Sequence, residues 1–206
     1  MALVKYNNNS ISSVTAAAGL APSGAMTLIK EQTASSSATI SFVHGTSDVV
    51  LDNTYPIYLF KFINIHPATN DVFFQVNFRD GGSSYDATKT TTSFFAYQNE
   101  GGTDTSLAYN TGADVAQGTG VQKLSLDSVG NGNSESSSGE MYLFNPSSTT
   151  YVKHFMARTQ IYHDSDFTFD NHVAGYCNVT AAIDGVQFTM SSGNIDAGVI
   201  KLYGIA

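Results

Sequence analysis

The sequence predicts an all-β protein: a jelly-roll-like sandwich of two antiparallel sheets behind an extended N-terminal arm. Three observations carry that prediction. From residue 25 onward, short runs rich in Val, Ile, Phe, Tyr and Thr recur between clusters of Gly, Asn, Asp and Ser, which is the pattern of strands and turns. Helical periodicity is nearly missing; only Ser10–Ala18, with Ser10 as a cap and Gly19 as a stop, offers a short candidate. The runs are unevenly spaced and joined by long crossovers, which favours a Greek-key sandwich over an up-and-down barrel.

The elements follow in order. Residues 1–23 read as an assembly arm with Leu3, Val4, Tyr6, Ile11 and Val14 as apolar handles, and residues 24–206 as the sandwich domain. Strands are predicted near Met26–Glu31, Thr39–Val43, Ile57–Ile65, Val72–Phe78, Thr91–Tyr97, Val121–Leu126, Met141–Phe144, Tyr151–Tyr162, Val173–Val179, Val186–Met190 and Val199–Tyr203. Alternation supports several of them. Val186, Phe188 and Met190 share one face, and Ile200 and Leu202 oppose Lys201 and Tyr203. The run IYLFKFINI is apolar on both faces, with Ile57, Leu59, Ile63 and Ile65 on one and Tyr58, Phe60 and Phe62 on the other. Such a strand is covered on both sides or packs one face against another subunit. Asn99–Gly120 and Ser128–Gly139 read as exposed loops.

Composition narrows the function. Charged residues are only 13% of the 206, against an average near 25%. The polar surface comes instead from 24 Ser, 21 Thr, 15 Asn and 18 Gly. A net charge of -8 without a basic cluster argues against nucleic acid as a partner. No stretch approaches the roughly 18 apolar residues of a spanning helix, so membrane insertion is not expected. The single Cys177 excludes an intramolecular disulfide and reads as a small buried apolar residue. The N-terminus lacks the apolar core of a secretion signal, so folding in a cytoplasm is expected.

The search for chemistry finds no nucleophile elbow, zinc-protease motif or phosphate loop, and an enzyme is not expected. The densest polar cluster runs from His163 to His172 with Asp164, Asp166 and Asp170 between. Carboxylates and imidazoles are metal ligands, but Phe169 stands where a calcium loop needs glycine and no Glu closes it. The cluster therefore reads as a solvated loop with Phe167 and Phe169 tucked inward, and no metal or other cofactor is expected. His44, His66 and His154 read as ordinary packing or surface residues. Tyr85 with Asp86, and Tyr109 with Asn110, pair a flat aromatic face with groups that hydrogen-bond hydroxyls, the elements of a glycan contact.

Six blocks then carry a resemblance: MALVKYNNNSISSVTA, GAMTLIKEQTASSSATISF, TYPIYLFKFINIHPAT, FQVNFRDGGSSYDATKTTTSF, GEMYLFNPSSTTYVKHF and AAIDGVQFTMSSGNIDAGVIKLYGI. Together they resemble a family of tailed-phage virion structural proteins of the marine-phage type, over nearly the whole chain and least across residues 99–139. The resemblance implies a non-enzymatic virion protein, assembled in the host cytoplasm as a capsid decoration, cement or head-fibre component. It implies no catalytic residues. A homo-oligomer, with a trimer favoured, docked on a major capsid or other virion protein is the expected assembly. The alternative is a tail-fibre or receptor-binding protein contacting host surface glycans.

Overall fold

The structure, a computed structural model, describes residues 26–206. The arm expected over residues 1–23, with its handles Leu3, Val4, Tyr6, Ile11 and Val14, and the short helix candidate lie outside these residues. Twelve strands make up the described fold: β1 (Met26–Thr33), β2 (Ile40–Val43), β3 (Ile57–Pro67), β4 (Phe74–Arg79), β5 (Lys89–Asn99), β6 (Thr105–Tyr109), β7 (Gln122–Lys123), β8 (Ser137–Phe144), β9 (Lys153–His163), β10 (Phe167–Cys177), β11 (Gly185–Met190) and β12 (Ile195–Ile205). One 3-10 turn, Thr111–Ala113, follows β6.

The strands form an eight-stranded sheet, β1-β12-β3-β8-β9-β10-β5-β6, and a four-stranded sheet, β2-β11-β4-β7, every pairing antiparallel. Setting aside the β5–β6 and β9–β10 hairpins leaves β1-β12-β3-β8 against β2-β11-β4-β7. That order is the jelly roll, two Greek keys folded into facing sheets. The hairpins are insertions, one between β4 and β7 and the other between β8 and β11. They meet along β10–β5 and extend the larger sheet past β8.

Alternation decides which side chains close the core. Tyr58, Phe60 and Phe62 from β3 point inward and are buried, as are Val186, Phe188 and Met190 from β11 and Ile200 and Leu202 from β12. Phe188 sits at the centre, its ring 5.2 Å from Phe62, 5.4 Å from Phe60, 5.8 Å from Phe74 and 6.3 Å from Phe42. Mostly edge-on geometry suits the ring quadrupoles.

Several expectations are corrected. Ile65 does not share a face with Ile57, Leu59 and Ile63: a register shift between Phe62 and Ile65 turns it inward to full burial. Asn64 adopts φ +50° in that bulge, and the facing Gly198 has φ +119°. A Cβ at 198 would lie 2.6 Å from the Asn64 carbonyl oxygen, so the bulge needs glycine there. The predicted loop Asn99–Gly120 contains β6, and Ser128–Gly139 gives its end to β8. The strand expected over Val121–Leu126 shrinks to β7, because the rest of that segment lies across the inner face of the enlarged sheet. The His163–His172 cluster is a hairpin rather than a loop: only Asp164–Asp166 turn, and β10 begins at Phe167.

Candidate functional site

The inner face of the large sheet is sealed except at the β6 edge. Its outer face is not, and the register places its side chains in rows. One row crosses all eight strands: Glu31, Lys201, Lys61, Glu140, Arg158, His172, Phe94 and Tyr109. The next is apolar over five strands: Leu28, Tyr203, Leu59, Tyr142 and Met156, continuing to Ala174 and Thr92. Beyond it lie Met26, Ile205, Ile57 and Phe144. Leu59 is buried here only because Tyr203 and Tyr142 flank it on the neighbouring strands.

The charged row is closed by its own ion pairs. Lys61 donates to Glu140, and Lys201 lies 2.8 Å from Glu31. Arg158 grips Asp170 with two parallel bonds of 2.8 Å, Nε to Oδ1 and Nη2 to Oδ2, the fork geometry that gives such pairs their directionality. His172 Nε2 is 3.2 Å from the same carboxylate. The Arg158 bond, with a smaller part from His172, holds the Asp170 carboxyl below its ordinary range, and the Glu140 bond raises Lys61. Phe94 stacks flat on His172, ring centres 4.7 Å apart and planes 2° from parallel. A hollow of about 270 Å³ opens between Phe94, Tyr142, Met156 and His172.

Nine large apolar side chains are exposed among the described residues, and seven of them lie on this face: Met26, Leu28, Ile63, Phe94, Leu107, Tyr109 and Met156. Val121 and Tyr151 are elsewhere. Scattered apolar side chains are normal on a protein surface; their concentration on one sheet face is not.

The residues singled out in the sequence are dispersed. Tyr109 stands on the outer face at the β6 edge, but its hydroxyl is engaged by Asp114. Asn110 is a structural residue, its side-chain amide donating to the Leu126 carbonyl at 3.1 Å. Tyr85 and Asp86 sit in the β4–β5 connection, with Tyr85 against Gly185 and Arg79 beside the smaller sheet. The fold therefore does not assemble the two pairs into one contact surface. Within the former Asp/His cluster, Asp170 and His172 join the outer face, while His163 and Asp164 pair at 2.9 Å beside the β9–β10 turn. No group of three His, Cys, Asp or Glu suited to a metal ion occurs among the described residues. His44 accepts a bond from the Leu51 amide, and His66 meets the Gly132 carbonyl. Cys177 is fully buried.

Lys61, Tyr142, Met156, Arg158 and Phe94 were not singled out in the sequence. Their signal was the two-sided apolar pattern of β3, which pointed to a second covered face without naming the strands beside it. No helix among the described residues is long and apolar enough to cross a membrane. Set against known protein families, characterised proteins and solved structures, the chain matches none. The class the fold itself defines is a two-sheet β-sandwich with one enlarged sheet.

Proposed function

We propose that the chain is a non-enzymatic structural protein of a virion surface, a capsid decoration, cement or head-fibre component that works as a homo-oligomer. The observation that carries this reading is the gathering of exposed apolar side chains on the outer face of the large sheet. In a free monomer that face stays wetted at a cost set by its apolar area, and a neighbouring protein surface removes the cost. The sequence resemblance to tailed-phage virion proteins supplies the setting. A neutral Ser/Thr/Asn coat and a fold without disulfides suit a particle assembled inside a cell and released from it.

Immunogold labelling of purified particles tests the reading. Label distributed over the head is the expected result. Label confined to the tail tip transfers the protein to the receptor-binding alternative, and particles without label overturn both. One observation favours that alternative enough to keep it in the test. The Phe94–His172 plate lies open beside the Arg158–Asp170 pair, an arrangement that offers a sugar ring a flat face and hydrogen-bonding partners.

A further inference from the structure

We infer that two copies of this chain pack outer face to outer face about a two-fold axis running parallel to the strands between β8 and β9. The pairing rests on the homo-oligomeric reading above and gives it a surface and a symmetry.

The axis follows from the register. An eight-stranded sheet has its midline between its fourth and fifth strands, here β8 and β9. A two-fold along that midline exchanges β8 with β9, β3 with β10, β12 with β5 and β1 with β6, and keeps each row at its own level. Glu140 and Arg158 are direct partners across β8–β9, as are Tyr142 and Met156. The operation therefore sets Glu140 of one copy over Arg158 of the other, and Tyr142 over Met156, each contact occurring twice. In the same way Lys61 meets His172, while Leu59 meets Ala174. This is the self-complementarity that an isologous contact requires. At the axis the Glu140 carboxylate falls on the Arg158 guanidinium, and a thioether falls on an aromatic ring.

Charge and area agree with a second copy as the occupant. The chain carries a net charge of -8, which keeps copies apart over most of the surface. Along the charged row, however, Lys201, Lys61 and Arg158 are matched by Glu31, Glu140 and Asp170, so this strip adds no repulsion. Eight strands about 4.8 Å apart, over about six residues of about 3.3 Å each, span roughly 760 Å², close to the about 800 Å² per partner of a stable interface. Each sheet twists across its width, so contact is closest at β8–β9, along the axis. The hollow beside Tyr142 and Met156 lies next to the axis, where a side chain of the second copy fills it.

Sedimentation equilibrium of the full chain across the micromolar range tests the pairing. The expected result is a monomer–dimer equilibrium, weakened about tenfold or more by Met156→Asp, which buries a charge against Tyr142. Met156 is 52% exposed, so the variant folds, and an unchanged thermal melt checks that it does. Tyr151→Asp, at a 72% exposed position off this face, leaves the dimer intact. A mixture of Tyr142→Cys and Met156→Cys chains forms a covalent dimer under mild oxidation, more than either chain alone, since Cys177 is buried. A trimer indifferent to Met156→Asp, or a mixture that does not crosslink, overturns the two-fold and leaves the homo-oligomeric reading standing. A monomer at every concentration removes both, and particle labelling still decides the virion location on its own.

Discussion

The two halves of the large sheet solve the same problem differently. In the jelly-roll half, β1, β12, β3 and β8 bury their inner face against a second sheet. The filling is apolar and largely aromatic: Phe42, Phe60, Phe62, Phe74 and Phe188 touch one another there. In the added half, β9, β10 and β5 are covered on the inside largely by the connection running from residue 110 to 130, with Phe155 of β9 also meeting Phe78 of the smaller sheet. That cover is irregular backbone, and buried backbone must find hydrogen-bond partners. The strands provide them. Thr159 donates to the Leu124 carbonyl at 2.6 Å, Asn171 accepts from the Leu126 amide at 3.1 Å, and Thr91 accepts from the Val115 amide at 2.8 Å. A sheet face under another sheet is written in phenylalanine; one under a loop is written in Thr, Asn, Ser and Lys.

The contrast is broken most severely at Phe188. Phe188→Ala removes the ring shared by four others and is expected to cost about 3–5 kcal/mol, measured as a shift of the urea unfolding midpoint. A loss under about 1 kcal/mol, the scale of an ordinary surface change, would mean that the aromatic cluster does not hold the sandwich.

Asn171 tests the other half. Its carbonyl oxygen serves the Leu126 amide and its amide reaches the Thr159 carbonyl at 3.2 Å. Asn171→Ala leaves the buried Leu126 amide without its partner, for an expected loss of about 1–3 kcal/mol. The sharper readout is hydrogen exchange. The Leu126 amide gains exchange while β2, β4 and β11 stay protected, because loop cover opens locally. Uniform loss of protection through both sheets would show that the halves unfold as one unit and that the distinction is only descriptive.

The same contrast explains what was legible in the sequence. Strands sealed by a sheet announced themselves: Val186, Phe188 and Met190 alternate as expected and are buried as expected. Strands of the added half did so only in part: β5, β9 and the end of β10 were legible, the start of β10 and β6 were not. The first half of β10 places Phe169 and Asn171 inward and Asp170 and His172 outward, so its polar content read as a solvated turn. β6, with Thr105, Leu107 and Tyr109 outward at a sheet edge, has no buried face of its own to set a period. The outer face was half legible, since the second apolar face of β3 was visible in Leu59 and Ile63. Its assembly with Tyr142, Met156 and Phe94 depends on strand order, and no local pattern encodes that β8 lies between β3 and β9.

The effect that is smallest at neutral pH comes from an ionisable row that the jelly-roll half lacks. Lys89, Cys177 and Lys153 are cross-strand neighbours on the inner face of β5, β10 and β9, and all three are fully buried. The lysines serve backbone of other connections at this end of the sheet: Lys89 donates to the Ala87 carbonyl at 3.0 Å, and Lys153 to the Ser148 and Val179 carbonyls at 3.0 and 2.7 Å. Burial pushes the Cys177 thiol up to about 12 and both lysines below their ordinary value of 10.5. A raised thiol contributes stability that is intact below its unfolded value of 9.0 and is lost as pH climbs toward about 12. Lowered lysines act with the opposite sign, so stability rises with pH until 10.5, where the unfolded chain also gives up its protons. The two trends oppose each other between pH 9.0 and 10.5. Above that the thiol acts without them, at about 1.4 kcal/mol per pH unit. Tyr58, raised by burial from 10.0 to about 12 in the jelly-roll half, adds a parallel decline. Urea melts of the wild type and Cys177→Ala, taken in steps from pH 8 to 11.5, are expected to run parallel below pH 9.0 and to diverge above it, with the wild type falling relative to the variant. Parallel curves throughout would mean that water reaches the thiol and that the loop cover over the added half is not closed.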